Sequence, residues 1–118
     1  MRFEMGEVNV LCASRERSVA FYVGVLGFRF EEEERGAVRL TNGDRRLLLL
    51  PVANDLLEVH PYGLQPTISF DLLVDDIEAA HAHLIANNVA IEAPPTKERR
   101  YLFCRDPDGL VIEIVERG

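Results

Sequence analysis

The chain has 118 residues, 47% of them hydrophobic and 28% charged, and a formal net charge of −7. That length supports one compact unit or two very small modules sharing a core. The acidic balance argues against a nucleic-acid surface, whose affinity rests on Lys and Arg against phosphate, and no apolar run approaches the roughly 20 residues needed to span a bilayer.

In chain order, Met1, Arg2, Phe3 and Glu4 lack the apolar region of a secretory signal, so a cytoplasmic protein is expected. Residues 8–12 alternate at period 2, as a half-buried strand does. Ser14 is placed to cap a helix. Its apolar stripe reads as Val19, Tyr22, Val23 and Leu26, and Gly27 stops it. Phe28 opens the next strand, and the like charges of Glu31, Glu32, Glu33 and Glu34 put its end at a sheet edge or toward solvent. Residues 37–41 read as a third strand, Asn42-Gly43 as a two-residue hairpin, and residues 46–52 as a fourth strand. Its unbroken leucines predict burial on both faces. Residues 53–66 read as a linker, rich in turn formers at Asn54, Asp55, Pro61, Gly63 and Pro66, with Leu56, Leu57 and Val59 forming a short packed turn.

The pattern then restarts. Residues 67–74 are a strand, and Asp75-Asp76-Ile77-Glu78 is close to a capping box. The helix runs to about Asn88, with Ile77, Ala80, His81, Leu84 and Ile85 on one side. A short strand over 89–92 precedes the loop that Pro94-Pro95 opens and that holds Lys97, Glu98, Arg99 and Arg100. Residues 101–105 form a strand, 106–109 a turn, and 110–115 the last strand. A shift of about 62 residues lays Ser14 on Asp76. The expected fold class is therefore α+β, with two tandem βαβββ modules over about 5–52 and 67–116. A ferredoxin-like βαββαβ would leave two strands over. Cys12 and Cys104 both sit in apolar-alternating stretches and read as reduced, buried thiols.

Three motifs carry a family resemblance. Ser14 to Tyr22 followed by Val25-Leu26-Gly27-Phe28, then Val74-Asp75-Asp76-Ile77-Glu78-Ala79-Ala80, then Arg105-Asp106-Pro107-Asp108-Gly109 running to Glu113 resemble the two helix starts and the closing strand of the glyoxalase/bleomycin-resistance (vicinal oxygen chelate) superfamily. The resemblance implies sheets curled into a half-open barrel around a cavity, commonly in a homodimer. Family enzymes hold a divalent metal with four side chains, one from the first and last strand of each module, and use it as a Lewis acid. Metal-free members bind and sequester small molecules. The four ligand positions carry over as Glu7, a leucine within 47–50, Ser69 and Glu113. A leucine cannot ligate and a serine hydroxyl ligates weakly, so no resident metal or other cofactor is expected.

By strand parity Asn9 shares the face of Glu7, Asp71 that of Ser69, and Glu113 lies opposite Leu110, Ile112 and Ile114. Glu7, Asn9, Ser69, Asp71 and Glu113 form a polar, acidic candidate lining, and Tyr101 and Phe103 share the parity to stack on an aromatic ligand. Such a lining favours a cationic or hydrogen-bond-donating small molecule. The alternative reading is a family enzyme, metal-dependent or with Glu113 as general base; a binding subunit of a larger pathway is the third. His81 and His83 diverge by about 200° on one helix and cannot share an ion. His81 reads as packing and His83 as solvent-facing, while His60 stands at the linker. Arg99 and Arg100 read as a solvated charge run.

Overall fold

The chain divides into two compact units, Met1–Leu56 and Leu57–Gly118, in a computed structural model that describes every residue except Leu56 and Leu57. The packed turn expected around those two leucines lies outside the described residues.

The first unit contains β1 (Val8–Leu11), α1 (Arg15–Val19) continued by a π-helical segment (Ala20–Val25), β2 (Arg29–Glu34), β3 (Ala37–Asn42) and β4 (Arg45–Leu50). The sheet order is β1-β4-β3-β2, with β1 parallel to β4 and the remaining pairs antiparallel. Ser14 caps α1 by accepting from the Arg17 N–H at 3.2 Å. The wider π turn, in which the Leu26 N–H reaches back to the Phe21 carbonyl at 3.0 Å, turns the buried stripe away from the expected one. Ser18, Phe21 and Tyr22 are the buried residues, whereas Val19, Val23 and Leu26 are half-buried. Tyr22 meets Phe21 and Phe28 edge-on, at 5.1 and 5.7 Å between centroids, a favoured aromatic geometry. Gly27, at φ 81°, ends the segment in a conformation that glycine adopts without strain.

All six residues of β2 are exposed at the sheet edge, and its glutamates find arginines: Glu31 pairs with Arg46, Glu32 with Arg39 and Glu33 with Arg15. The β3–β4 hairpin lies one residue later than expected. Asn42 and Arg45 pair across it, so Gly43 and Asp44 are its central residues and Gly43 takes the positive φ of 62°. Glycine alone fits that first position easily. Burial in β4 alternates. Leu47 and Leu49 are buried, while Leu48 and Leu50 are half-buried on the other face. The leucine run is thus an ordinary half-covered strand whose second face happens to be apolar.

The second unit repeats the plan with β5 (Phe70–Val74), α2 (Ile77–Ala86), β6 (Ile91–Ala93), β7 (Tyr101–Arg105) and β8 (Val111–Glu116). Its order, β5-β8-β7-β6, matches the first sheet strand for strand. The βαβββ duplication read from the sequence is present, and the fold class is the α+β one expected. β5 begins three residues later than the sequence pattern suggests. Asp76 caps α2, its carboxylate accepting from the Ala79 N–H at 3.1 Å. With Asp76 as the cap, Glu78 falls too early to close a capping box and pairs with Arg100 instead. Ile77 and Leu84 are buried and His81 is half-buried, but Ile85 is 55% exposed and leaves the stripe. Asp106 fixes the last turn, accepting from the N–H groups of Asp108 and Leu110 at 2.9 Å each. Among the described residues no helix is long and apolar enough to cross a membrane.

Candidate functional site

Each sheet buries one face, with Val10, Val38, Leu40, Leu47 and Leu49 in the first unit and Leu102, Cys104, Ile112 and Ile114 in the second. Strand pleating sends the intervening residues to the opposite face. On that face the two units carry equivalent three-residue rows. In the first, Asn9 on β1 pairs with Leu48 on β4, which pairs with Arg39 on β3. In the second, Asp71 on β5 pairs with Glu113 on β8, which pairs with Phe103 on β7. The match of Asn9–Leu48 to Asp71–Glu113 fixes which leucine of the run stands at the position of Glu113: it is Leu48.

In the first unit Arg39 dominates the row. Its Nε and one terminal nitrogen hold the two oxygens of Glu7 at 2.9 and 3.2 Å, and its other terminal nitrogen pairs with Glu32. The fork geometry suits a carboxylate, and such a charge-assisted pair is stronger than a neutral hydrogen bond. Bonding to Arg39 holds the Glu7 carboxyl below the usual carboxylate range, and the same bond holds the Arg39 guanidinium above its ordinary value. Asn9 is exposed beside them. Arg39, Leu48, Leu50 and Glu32 border an open depression of about 320 Å³.

In the second unit Glu113 stands at the centre. The Ser69 hydroxyl donates to it at 3.4 Å. Burial pushes its carboxyl up, hydrogen bonding to Asp71 and the charge of Asp71 push it further, and the Tyr62 and Ser69 hydroxyls oppose them. Two carboxyls this close ionise together only at a cost, so one retains its proton more readily. Phe103 carries the ring of Tyr62 at 4.1 Å, with planes 17° apart, and touches Tyr101 at 5.6 Å. Arg99 lies over the Tyr101 ring at 5.7 Å.

Several expected residues stand elsewhere. Arg100 is not part of a solvated charge run. It bonds both Glu78 and Glu116 and is held protonated well above its ordinary value by them, while Glu116 also accepts from the Ile77 N–H at 3.0 Å. Asp76, Glu78 and Glu116 form the only group of three metal-capable side chains among the described residues. Arg100 already supplies the cation there. His60 contributes its backbone carbonyl to Arg105 at 2.6 Å, and its ring lies 3.7 Å from Glu58. Both cysteines are fully buried. Burial, helped by the charge of Asp106, pushes the Cys104 thiol up to about 11, which makes it a poor nucleophile at neutral pH. The sequence reading missed Arg39 and Tyr62. Arg39 interrupts β3 with the parity of Leu48 and could have been found from register, whereas Tyr62 lies in an aperiodic linker that gives no such signal.

A family model described as the Glyoxalase/Bleomycin resistance protein/Dioxygenase superfamily matches residues 5–114. The uncharacterized protein YaeR of Escherichia coli K12 is 29% identical, the alignment covering 97% of this chain and 96% of that protein. The catechol-2,3-dioxygenase of Bacillus subtilis is 30% identical over 93% of this chain, which spans only 40% of that enzyme. Among solved structures, the trypanothione-dependent glyoxalase I of Leishmania major matches with a TM-score of 0.75 at 20% identity, covering 98% of this chain and 87% of that one.

Proposed function

Because the chain belongs to the glyoxalase/bleomycin resistance/dioxygenase superfamily, we propose that it binds a small organic molecule without a resident metal. The donor set carries this reading. At the four positions where family enzymes hold their ion stand Glu7, Leu48, Ser69 and Glu113. Leu48 has no donor atom, Ser69 offers a neutral hydroxyl that is turned to Glu113, and Glu7 is engaged by Arg39 through both oxygens. Zn²⁺ wants about four good nitrogen, sulfur or oxygen ligands, and Mg²⁺ or Mn²⁺ on two carboxylates keeps most of its water. These residues do not fit the metal.

Glu7, Asn9, Ser69, Asp71, Tyr101, Phe103 and Glu113 are proposed as ligand-contacting residues within a single glyoxalase-like domain, with residues 53–66 as its linker. The acidic residues favour a cationic or hydrogen-bond-donating ligand, and the aromatic side chains favour a flat one. A homodimer is proposed on the family's habit. The relative named catechol-2,3-dioxygenase supports the second reading, an enzyme. In that reading the raised proton affinity of Glu113 suits it to act as a general base without a metal. Thermal-shift screening of the full chain against matched sets of small cations, neutral donors and anions tests the binding proposal. Stabilisation is expected from the first two sets; stabilisation by anions alone contradicts it.

A further inference from the structure

Tyr62 occupies an unusual place in the second unit. Its ring lies flat on Phe103, and Phe103 is the cross-strand partner of Glu113, which is in turn the partner of Asp71. Its backbone is pinned. The Tyr62 N–H donates to Glu92 at 2.8 Å, and Arg105 binds both Glu92 and the His60 carbonyl. The backbone is thus tied to β6 and β7, the side chain is held by stacking on Phe103 and by its hydroxyl on Glu113, and the residue is 42% exposed. Phe103 beneath is half-buried, and Tyr101 extends the aromatic floor beside it.

A phenol ring thus lies over an aromatic floor, with its hydroxyl bonded to Glu113, whose cross-strand neighbour is Asp71. That arrangement uses every recognition element of this face at once. Flat stacking rewards an aromatic ring over a saturated one. The paired carboxyls reward a hydrogen-bond donor and repel an anion. We propose that the Tyr62 side chain is an internal stand-in for the ligand, and that this face accepts a planar aromatic ring bearing a hydroxyl or amino donor when Tyr62 swings aside. The inference deepens the small-molecule reading above, on which it rests, by naming the ligand class and the residue that competes with it.

The test uses 4-methylphenol, the tyrosine side chain itself, titrated into the full-length protein with amide chemical shifts as readout. Benzoate and cyclohexylmethanol serve as controls. Removing an internal competitor raises the fraction of binding-competent protein, so Tyr62→Ala is expected to bind 4-methylphenol about tenfold more tightly than the wild type. Adding Phe103→Leu, which keeps the position apolar, is expected to abolish that gain, and neither control is expected to bind comparably. Equal, weaker or undetectable binding of 4-methylphenol to Tyr62→Ala overturns the inference, as does comparable binding of benzoate or cyclohexylmethanol. Wild-type protein that is stabilised by small cations or neutral donors while Tyr62→Ala shows no gain for 4-methylphenol sinks this inference and leaves the broader reading standing.

Discussion

Glu7 in the first unit and Glu113 in the second are both carboxyls on open faces, yet their surroundings drive them in opposite directions. Arg39 favours the charged form of Glu7; burial and Asp71 favour the neutral form of Glu113. Linkage gives each a sign. A carboxyl with a raised folded pKa stabilises the fold below its ordinary value of 4.5 and loses that contribution as pH rises through the folded value. Glu113→Gln, which is always neutral, is therefore expected to raise the melting temperature at pH 7 and to change it much less at pH 4. Melting curves across that range check the prediction, and a variant less stable at pH 7 than at pH 4, relative to wild type, contradicts it. The opposite directions of the two shifts were not legible from sequence. Parity placed Asp71 and Glu113 each on the open face of its strand, but their adjacency depends on a parallel register between strands about forty residues apart.

At the scale of elements, β4 shows how burial and composition separate. Four consecutive leucines suggest a strand enclosed on both sides, but Leu47 and Leu49 alone are buried, and Leu48 and Leu50 share the open face with Arg39. Truncating a buried leucine costs the lost transfer energy plus a cavity, about 2–5 kcal/mol. Leu49→Ala is expected to fall in that range by urea denaturation, and Leu48→Ala to cost less than half as much. Equal costs would mean that the second face is sealed as tightly as the first. Strand existence here was legible because leucine and the flanking turn residues mark it. Which alternate positions are covered was not, because an apolar residue reads the same on either face. The first helix errs for a related reason. An α-helical period predicts Val19, Tyr22, Val23 and Leu26; Tyr22 is buried as expected, but with the π segment over residues 20–25 its buried companions are Ser18 and Phe21.

For the molecule as a whole, the duplication was the most legible feature. Two sheets of identical strand order, each with its helix between the first two strands, follow from a sequence whose cap, strand and turn signals recur in the same order. The residues that decide the chemistry were less visible. Arg39 is a lone charge in an apolar strand, and Tyr62 a lone ring in a linker; neither belongs to a pattern, and each acquires meaning through a contact distant in sequence. Together they describe a glyoxalase-like scaffold whose charged positions are satisfied from within: Glu7 by a guanidinium, Glu113 by Asp71, Ser69 and Tyr62. The most direct test of that account is the metal content of the full-length protein after loading with Mn²⁺, Fe²⁺, Ni²⁺ or Zn²⁺ and exhaustive dialysis, read by plasma mass spectrometry. The account predicts far less than one ion per chain for every metal; one ion per chain that survives dialysis would contradict it.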